Sequence, residues 1–475
     1  MPLHLNIDIK HIFKSADRAV EVTSTLILAL VSHGAAFALS FTITRAALTA
    51  LILPVYLYKL FLSMLPSILL NSFHLSTPSG WSRLADRADQ YRSKSDTLAH
   101  AQLDGSYKFK LDEVFHVEKY SGGWMESAPW ANDTEEFDVC GATVRYIHLK
   151  PSYSSMLQDG KKEHRPIVFL HGNPSWSFMW RNVFPSLLQQ GHEIYAIDWL
   201  GHGRSDKILR PEAITFELHI RTLERFFEVT ELEDAIVAAH EWGGCVALCT
   251  IPRLPSSACT SLFLLNTFFP PRLSDASLHY RLLNRLWYCT TGLLHGYTPE
   301  SAFLRLLSPN ISASEVNGYT SPYKSLPRSA KSSIERFSHL PLSLPRFLLF
   351  TLRNTYLWKI AEGLLGPAHF ETLNTQSRLG ATDDQVRRYW GTSGQTPSTK
   401  NATENADIRK LEVAVVFGEQ DQLVRDYKNV LVRGIHPERM VGWAPRGVWL
   451  SRTGHLASEE RAALVAGLVG RVARS

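Results

Sequence analysis

Ala239-His240-Glu241-Trp242-Gly243-Gly244 stands where a β-branched run ends and an apolar helical stretch begins near Cys245. Small residues two places before and two places after Glu241 let the chain turn sharply from strand into helix and present that side chain at the top of a sheet. Strands are also expected at Thr143 to His148, Pro166 to Leu170, Glu193 to Ile197, Ser261 to Leu265 and Glu412 to Phe417, with Asp234 to Ala239 leading into the turn. Ile167-Val168-Phe169-Leu170 and Val413-Ala414-Val415-Val416-Phe417 are apolar throughout rather than alternating, the pattern of parallel strands covered on both faces. The fold class is therefore α/β, with a mostly parallel, doubly covered sheet. Between Asn266 and Lys410 the rhythm breaks into helix-rich, aromatic sequence and then resumes, which predicts a helical cap inserted at about 268–408.

Three further motifs follow strands in the same way. Phe169-Leu170-His171-Gly172-Asn173-Pro174 offers a backbone N–H, that of Asn173, to an anionic oxygen. Asp198-Trp-Leu-Gly-His-Gly-Arg-Ser-Asp206 carries glycines for a tight loop, and its role is read as structural. Phe417-Gly418-Glu419-Gln420-Asp421 closes a strand and is followed by Ser451-Arg452-Thr453-Gly454-His455 before the terminal helix. Nucleophile, acid and histidine in that chain order, Glu241, Asp421 and His455, make up the arrangement of the α/β-hydrolase fold. No Gly-x-Ser-x-Gly occurs in the chain, which argues against a serine esterase, lipase or peptidase.

The HGNP, DWLGHGRSD, xWGG, GxxD and GH elements, in this order, resemble the haloalkane dehalogenases and, slightly further off, the epoxide hydrolases. The similarity runs from about Phe115 to Val472 and includes the cap segment Glu315-Val-Asn-Gly-Tyr319-Thr-Ser-Pro322-Tyr323. The resemblance implies an apolar small-molecule substrate, a covalent ester on the nucleophile, and water activated by His455, which Asp421 orients. It implies that Asn173 and Trp242 hold the leaving halide. In the epoxide-hydrolase reading, the cap proton donors are sought among Tyr319 and Tyr323. The family carries Asp where this chain has Glu241, and the extra methylene moves the carboxylate by roughly 1.5 Å. A hydrolase reshaped around Glu241 is the first reading; an epoxide hydrolase and an inactive hydrolase-fold binding protein are the alternatives.

Composition is that of a folded protein: 45% of the 475 residues are hydrophobic and 20% charged, enough for a large core. The net charge of +5 is spread along the chain, so no nucleic-acid partner is expected. Five irregularly spaced cysteines support neither a disulfide framework nor a metal site, and no cofactor is implied. Residues 1–75 read as a membrane anchor that meets lipid, with a transmembrane helix at about 23–44 and a second apolar segment at about 46–70. A polar linker is expected at 76–106 and the hydrolase domain at 107–475, on the cytosolic side of the membrane.

Overall fold

The computed structural model describes residues 77–117, 129–152, 164–270, 275, 300–324, 326–339, 355–364, 378, 382–391 and 411–474. Among the described residues, eight strands form one sheet: β2 (Thr134–Val139), β3 (Ala142–Leu149), β4 (Ile167–Leu170), β5 (Ile194–Asp198), β7 (Ala235–Glu241), β8 (Cys259–Thr267), β9 (Glu412–Gly418) and β10 (Val448–Leu450). Their order across the sheet is β10-β9-β8-β7-β4-β5-β3-β2, with β2, β3 and β5 paired antiparallel and the others parallel. The short strands β1 (Val114–Phe115) and β6 (Lys207–Ile208) pair separately.

The apolar runs are explained by two cores, one on each face of this sheet. Val168, Leu170, Val237, Ala239, Leu262, Leu264, Val413 and Val415 pack into one, against Leu223 and Phe226 of helix Phe216–Thr230. Their alternates Ile167, Phe169, Ile236, Ala238, Phe263, Leu265, Ala414 and Val416 pack into the other, against Phe184 and against Val465 and Val469 of helix Ala462–Ala473. A strand alternates its side chains between faces, so burial on both faces requires every position to be apolar. β4 lies between β5 and β7, so successive connections leave it in opposite directions, and the crevice beyond the strand ends at this reversal is where open α/β sheets bind ligands.

Residues 78–103, expected within a polar linker, instead form a helix of 26 residues packed on the body. Thr77 caps it by accepting the Gly80 N–H, with Pro78 at the first helical position, and its buried stripe is built mostly from small residues, Gly80, Ala85, Ala88, Ser95 and Ala99, with Leu84 among them. Helix Tyr356–Leu364 crosses this stripe so closely that a side chain at Gly363 would run into the Leu84 carbonyl. Buried Gln102 donates to the Ala213 carbonyl at 2.8 Å. The helix reads as polar because its outer face is charged, while its contact face is narrow and made mostly of small residues.

The expected membrane spans at 23–44 and 46–70 lie outside the described residues. Among the described residues no helix is long and apolar enough to cross a membrane. Within the predicted cap, the described residues are helical or in loops, including Glu300–Leu307, Ala313–Thr320 and Ser332–His339.

Candidate active site

Glu241 ends β7 and caps the helix Trp242–Thr250, with φ 50° and ψ −120°. A non-glycine residue with positive φ is strained, and such strain persists where the surroundings over-determine it. The β7–β8 register shifts at this point, and the Thr267 hydroxyl donates to the Glu241 carbonyl at 2.6 Å. Small neighbours make the turn possible. A side chain on Gly243 would stand 2.6 Å from the His171 carbonyl oxygen, and one on Gly172 would stand 2.6 Å from Glu241 Cβ. The Glu241 carboxylate thus has room only because HGNP and WGG are bare where they meet.

Glu241 Oε2 accepts two backbone N–H groups, from Asn173 and from Trp242, each at 2.8 Å. Asn173 comes from the loop after β4, the neighbouring strand, so the sheet's own spacing brings the two donors together. His455 Nδ1 lies 2.9 Å from Asp421 Oδ2, and Asp421 Oδ1 accepts the N–H groups of Leu423 and Val424. Glu241, Asp421 and His455 are 5%, 1% and 1% exposed, so these charges meet out of water.

Burial raises the Glu241 carboxyl to about 7, against the pull of His455 and the two amide donors. His455 moves up from its ordinary value: burial disfavours its charge, but Asp421, and behind it Glu241 and Glu460, outweigh that effect. The other histidines around the site are buried and pushed down, His171 to about 4 and His202 and His240 well below the ordinary value. They are neutral at physiological pH, which leaves His455 as the one imidazole among them favoured to take a proton.

The remaining expected residues divide. Trp242 is buried with its ring centroid 5.0 Å from Phe268 and 5.3 Å from Phe337, the latter on the cap helix Ser332–His339. The Asn173 amide donates to the cap carbonyl of Ile334 at 3.2 Å, and its oxygen meets His202 Nε2 at 3.1 Å. Tyr319 donates its hydroxyl to Glu459 at 2.6 Å. Tyr323 is buried beside Phe303, Leu307 and Ile334. The Asp198-to-Asp206 loop is a scaffold. Asp198 accepts N–H groups of Ser177 and Arg204, Asp206 accepts those of Val117 and Thr143, and Gly201 and Gly203 take positive φ of 86° and 45°.

Sequence motifs missed Asn266. At the end of β8, with φ 45°, its amide donates to the carbonyls of Gly454 at 3.2 Å and His455 at 2.7 Å, while its oxygen accepts the Gly418 N–H at 2.7 Å. It ties the strand that precedes Asp421 to the loop that carries His455. His240 adds a second tie, from Nε2 to the His455 carbonyl at 3.0 Å. The available signal was a polar residue at the end of an apolar strand, and asparagine tolerates the left-handed conformation.

A family model described as the alpha/beta hydrolase fold matches residues 165–288. Haloalkane dehalogenase of Mycobacterium marinum is 27% identical over 176 residues, 37% of this chain and 57% of the relative. Haloalkane dehalogenase 1 of Mycobacterium tuberculosis is 40% identical over 83 residues, 18% of this chain and 28% of the relative. The chain therefore matches only part of the length of these relatives. The haloalkane dehalogenase structure from Paraglaciecola agarilytica NO2 superposes with a TM-score of 0.51 at 16% identity, covering 75% of this chain and 97% of that one. The structure from Bradyrhizobium elkani USDA94 gives 0.50 at 16% identity, covering 72% and 99%. The sheet order, the strained turn at Glu241 and these likenesses agree: the chain has the α/β-hydrolase fold, and part of it is similar to haloalkane dehalogenases.

Proposed function

We propose that the chain is a hydrolase that displaces a leaving group, a halide in the first instance, from an apolar small molecule through an ester on Glu241. The observation that carries this reading is the double N–H grip on Glu241 Oε2 beside a buried His455–Asp421 pair. Oε2 is fixed, which leaves Oε1 as the attacking oxygen. Oε1 forms a bond to the carbon bearing the halogen, and the halide departs with the bonding electron pair. The indole N–H of Trp242 and the amide of Asn173 are the proposed donors to that halide, since neutral donors stabilise an anion without trapping it.

His455 then removes a proton from water, and the hydroxide adds to the ester carbon Cδ of Glu241. Negative charge gathers on Oε2, between the two amide donors that already hold it, so the grip serves as an oxyanion hole in this second step. Collapse breaks the Cδ–Oε1 bond, the alcohol leaves with the proton from His455, and the second water proton, left on the new carboxyl oxygen, is lost through His455 to solvent, which restores the carboxylate. Asp421 stabilises the imidazolium between these events. The longer side chain of glutamate does not take Oε2 out of reach of the amide pair, which favours a working nucleophile over an inactive relative.

A single turnover in water enriched in oxygen-18 tests the scheme. The first product alcohol is expected to carry ordinary oxygen, taken from Glu241, with the label left in the Glu241 carboxylate. Label in the first alcohol would mean direct attack of water on the substrate and would refute the ester.

A further inference from the structure

His455 is followed four and five residues later by two consecutive carboxylates, Glu459 and Glu460, on the helix Ala457–Glu460. Neither belongs to the proposed chemistry, yet both reach from this helix into the cap. Glu460 Oε2 accepts the N–H of Gly454, the residue before His455, at 2.8 Å, and its Oε1 accepts the Ser308 hydroxyl at 2.9 Å. Ser308 is buried and directly follows the cap helix Glu300–Leu307. The backbones also come close here: a side chain on Gly454 would stand 2.8 Å from Glu460 Oε1 and 3.2 Å from the Leu307 carbonyl oxygen.

Glu459 makes the matching connection to the next cap helix. Its Oε1 accepts the Tyr319 hydroxyl at 2.6 Å and pairs with the Arg181 guanidinium. Arg181 also reaches Glu315 at 3.5 Å and lies 3.8 Å over the Phe178 ring, whose edge abuts Gly318. Both Tyr319 and Glu315 belong to the helix Ala313–Thr320. Two adjacent carboxylates, rooted beside the histidine, thus hold two successive cap helices.

We propose that Glu459 and Glu460 form a latch that couples the seating of the cap helices to the placement of His455, with Glu460 a positioning residue for the histidine. When the cap is seated, the Ser308 hydroxyl fixes the Glu460 carboxylate, and that carboxylate holds the Gly454 N–H and therefore the turn that aims the imidazole. When the cap lifts, Glu460 loses its cap donor and Glu459 loses Tyr319, and the His455 turn relaxes. The base is fully aligned only over a closed site, cut off from bulk solvent except for the water it activates, a gating role that lids commonly serve. The inference rests on His455 being the base of the proposed reaction, but its test reads the imidazole and the cap directly and needs no turnover.

The groups that face His455 are Asp421 at Nδ1, Glu241, Glu460 and the neutral ring of His240 with its centroid 4.7 Å away. The experiment uses the full chain with isotope-labelled histidine, His455 being assigned by its loss in a His455→Ala variant. The His455 titration is followed by NMR, and backbone hydrogen exchange is followed over residues 300–320. Glu460→Gln is expected to lower the His455 midpoint, because a negative charge that favours the imidazolium is removed. Ser308→Ala is expected to speed exchange over 300–320 and to displace the His455 resonance, an effect that disappears in the Glu460→Gln background because the two changes break one connection. A cap that loosens while His455 stays unchanged, no response in either region, or fully additive effects on His455 would each overturn the latch.

Discussion

Replacing Glu241 by glutamine is expected to remove turnover, lowering kcat by about 10^4 to 10^6-fold, as loss of a catalytic nucleophile does elsewhere. The same change is expected to stabilise the fold at alkaline pH. Glutamine keeps a carbonyl oxygen for the Asn173 and Trp242 N–H groups, so the geometry of the turn survives. What it removes is the cost of burying a charge. Glu241 titrates at about 7 in the fold against 4.5 for an unhindered glutamate. At about 1.4 kcal/mol for each pH unit, ionised Glu241 destabilises the folded state by about 3 kcal/mol.

The sign follows from the raised value. Below pH 4.5 the carboxyl is neutral in both folded and unfolded chains and costs nothing. Stability is lost as pH rises from 4.5 through about 7 and stays lower above it. The glutamine variant should therefore melt higher than the parent at pH 8 and at nearly the same temperature at pH 4. A variant that is inactive but equally destabilised at both pH values would show that the substitution damages packing rather than chemistry.

The second large effect is expected at Asp421. Asparagine there keeps the Asx-type contacts to the Leu423 and Val424 N–H groups if its oxygen takes the place of Oδ1. The amide nitrogen then faces His455 Nδ1 as a donor and forces the tautomer in which Nδ1 accepts. Nε2 then carries the proton and cannot take another from water. The hydrolytic step should fall by about 10^4-fold, by analogy with serine-protease triads. Attack by Glu241 does not require the imidazole, so the first half of the reaction should proceed and the ester should accumulate. Rapid mixing separates these halves: halide released in a stoichiometric burst without steady turnover is the expected record. Loss of the burst itself would place Asp421 in the first step.

Much of this architecture is legible in the sequence, for identifiable reasons. Parallel strands covered on both faces have no polar positions, so β4, β7 and β9 stand out as uninterrupted apolar runs. Strand β2, at the sheet edge, alternates exposed Glu135, Glu136 and Asp138 with buried Phe137 and Val139, and its charge hid it among loops. β10 is three residues long, with Trp449 exposed. The helix at 78–103 was concealed by a contact face made mostly of small residues, whose burial depends on a close approach by Gly363, a partner remote in sequence.

The candidate site divides along the same line. Chain order and strand ends single out Glu241, Asp421 and His455 as candidates, because each falls in a turn at the ends of the parallel strands. Whether Oε2 meets the Asn173 N–H depends on the juxtaposition of β4 and β7, which no local pattern encodes. Asn266 and Glu460 are in a similar position. Each is an ordinary polar residue until three backbone segments converge on it. Tyr319 shows the opposite case, a residue visible by resemblance whose hydroxyl is engaged by Glu459, which only the packing of the cap on helix Ala457–Glu460 brings near.

In the proposed reaction Glu241 itself becomes covalently bonded to substrate. His455→Ala removes the base that activates water and leaves the carboxylate and its two N–H donors in place. After exposure of this variant to a panel of haloalkanes and epoxides, mass spectrometry of the peptide containing Glu241 should show an alkyl ester of the substrate's mass. A peptide that stays unmodified across the panel would refute an ester on Glu241.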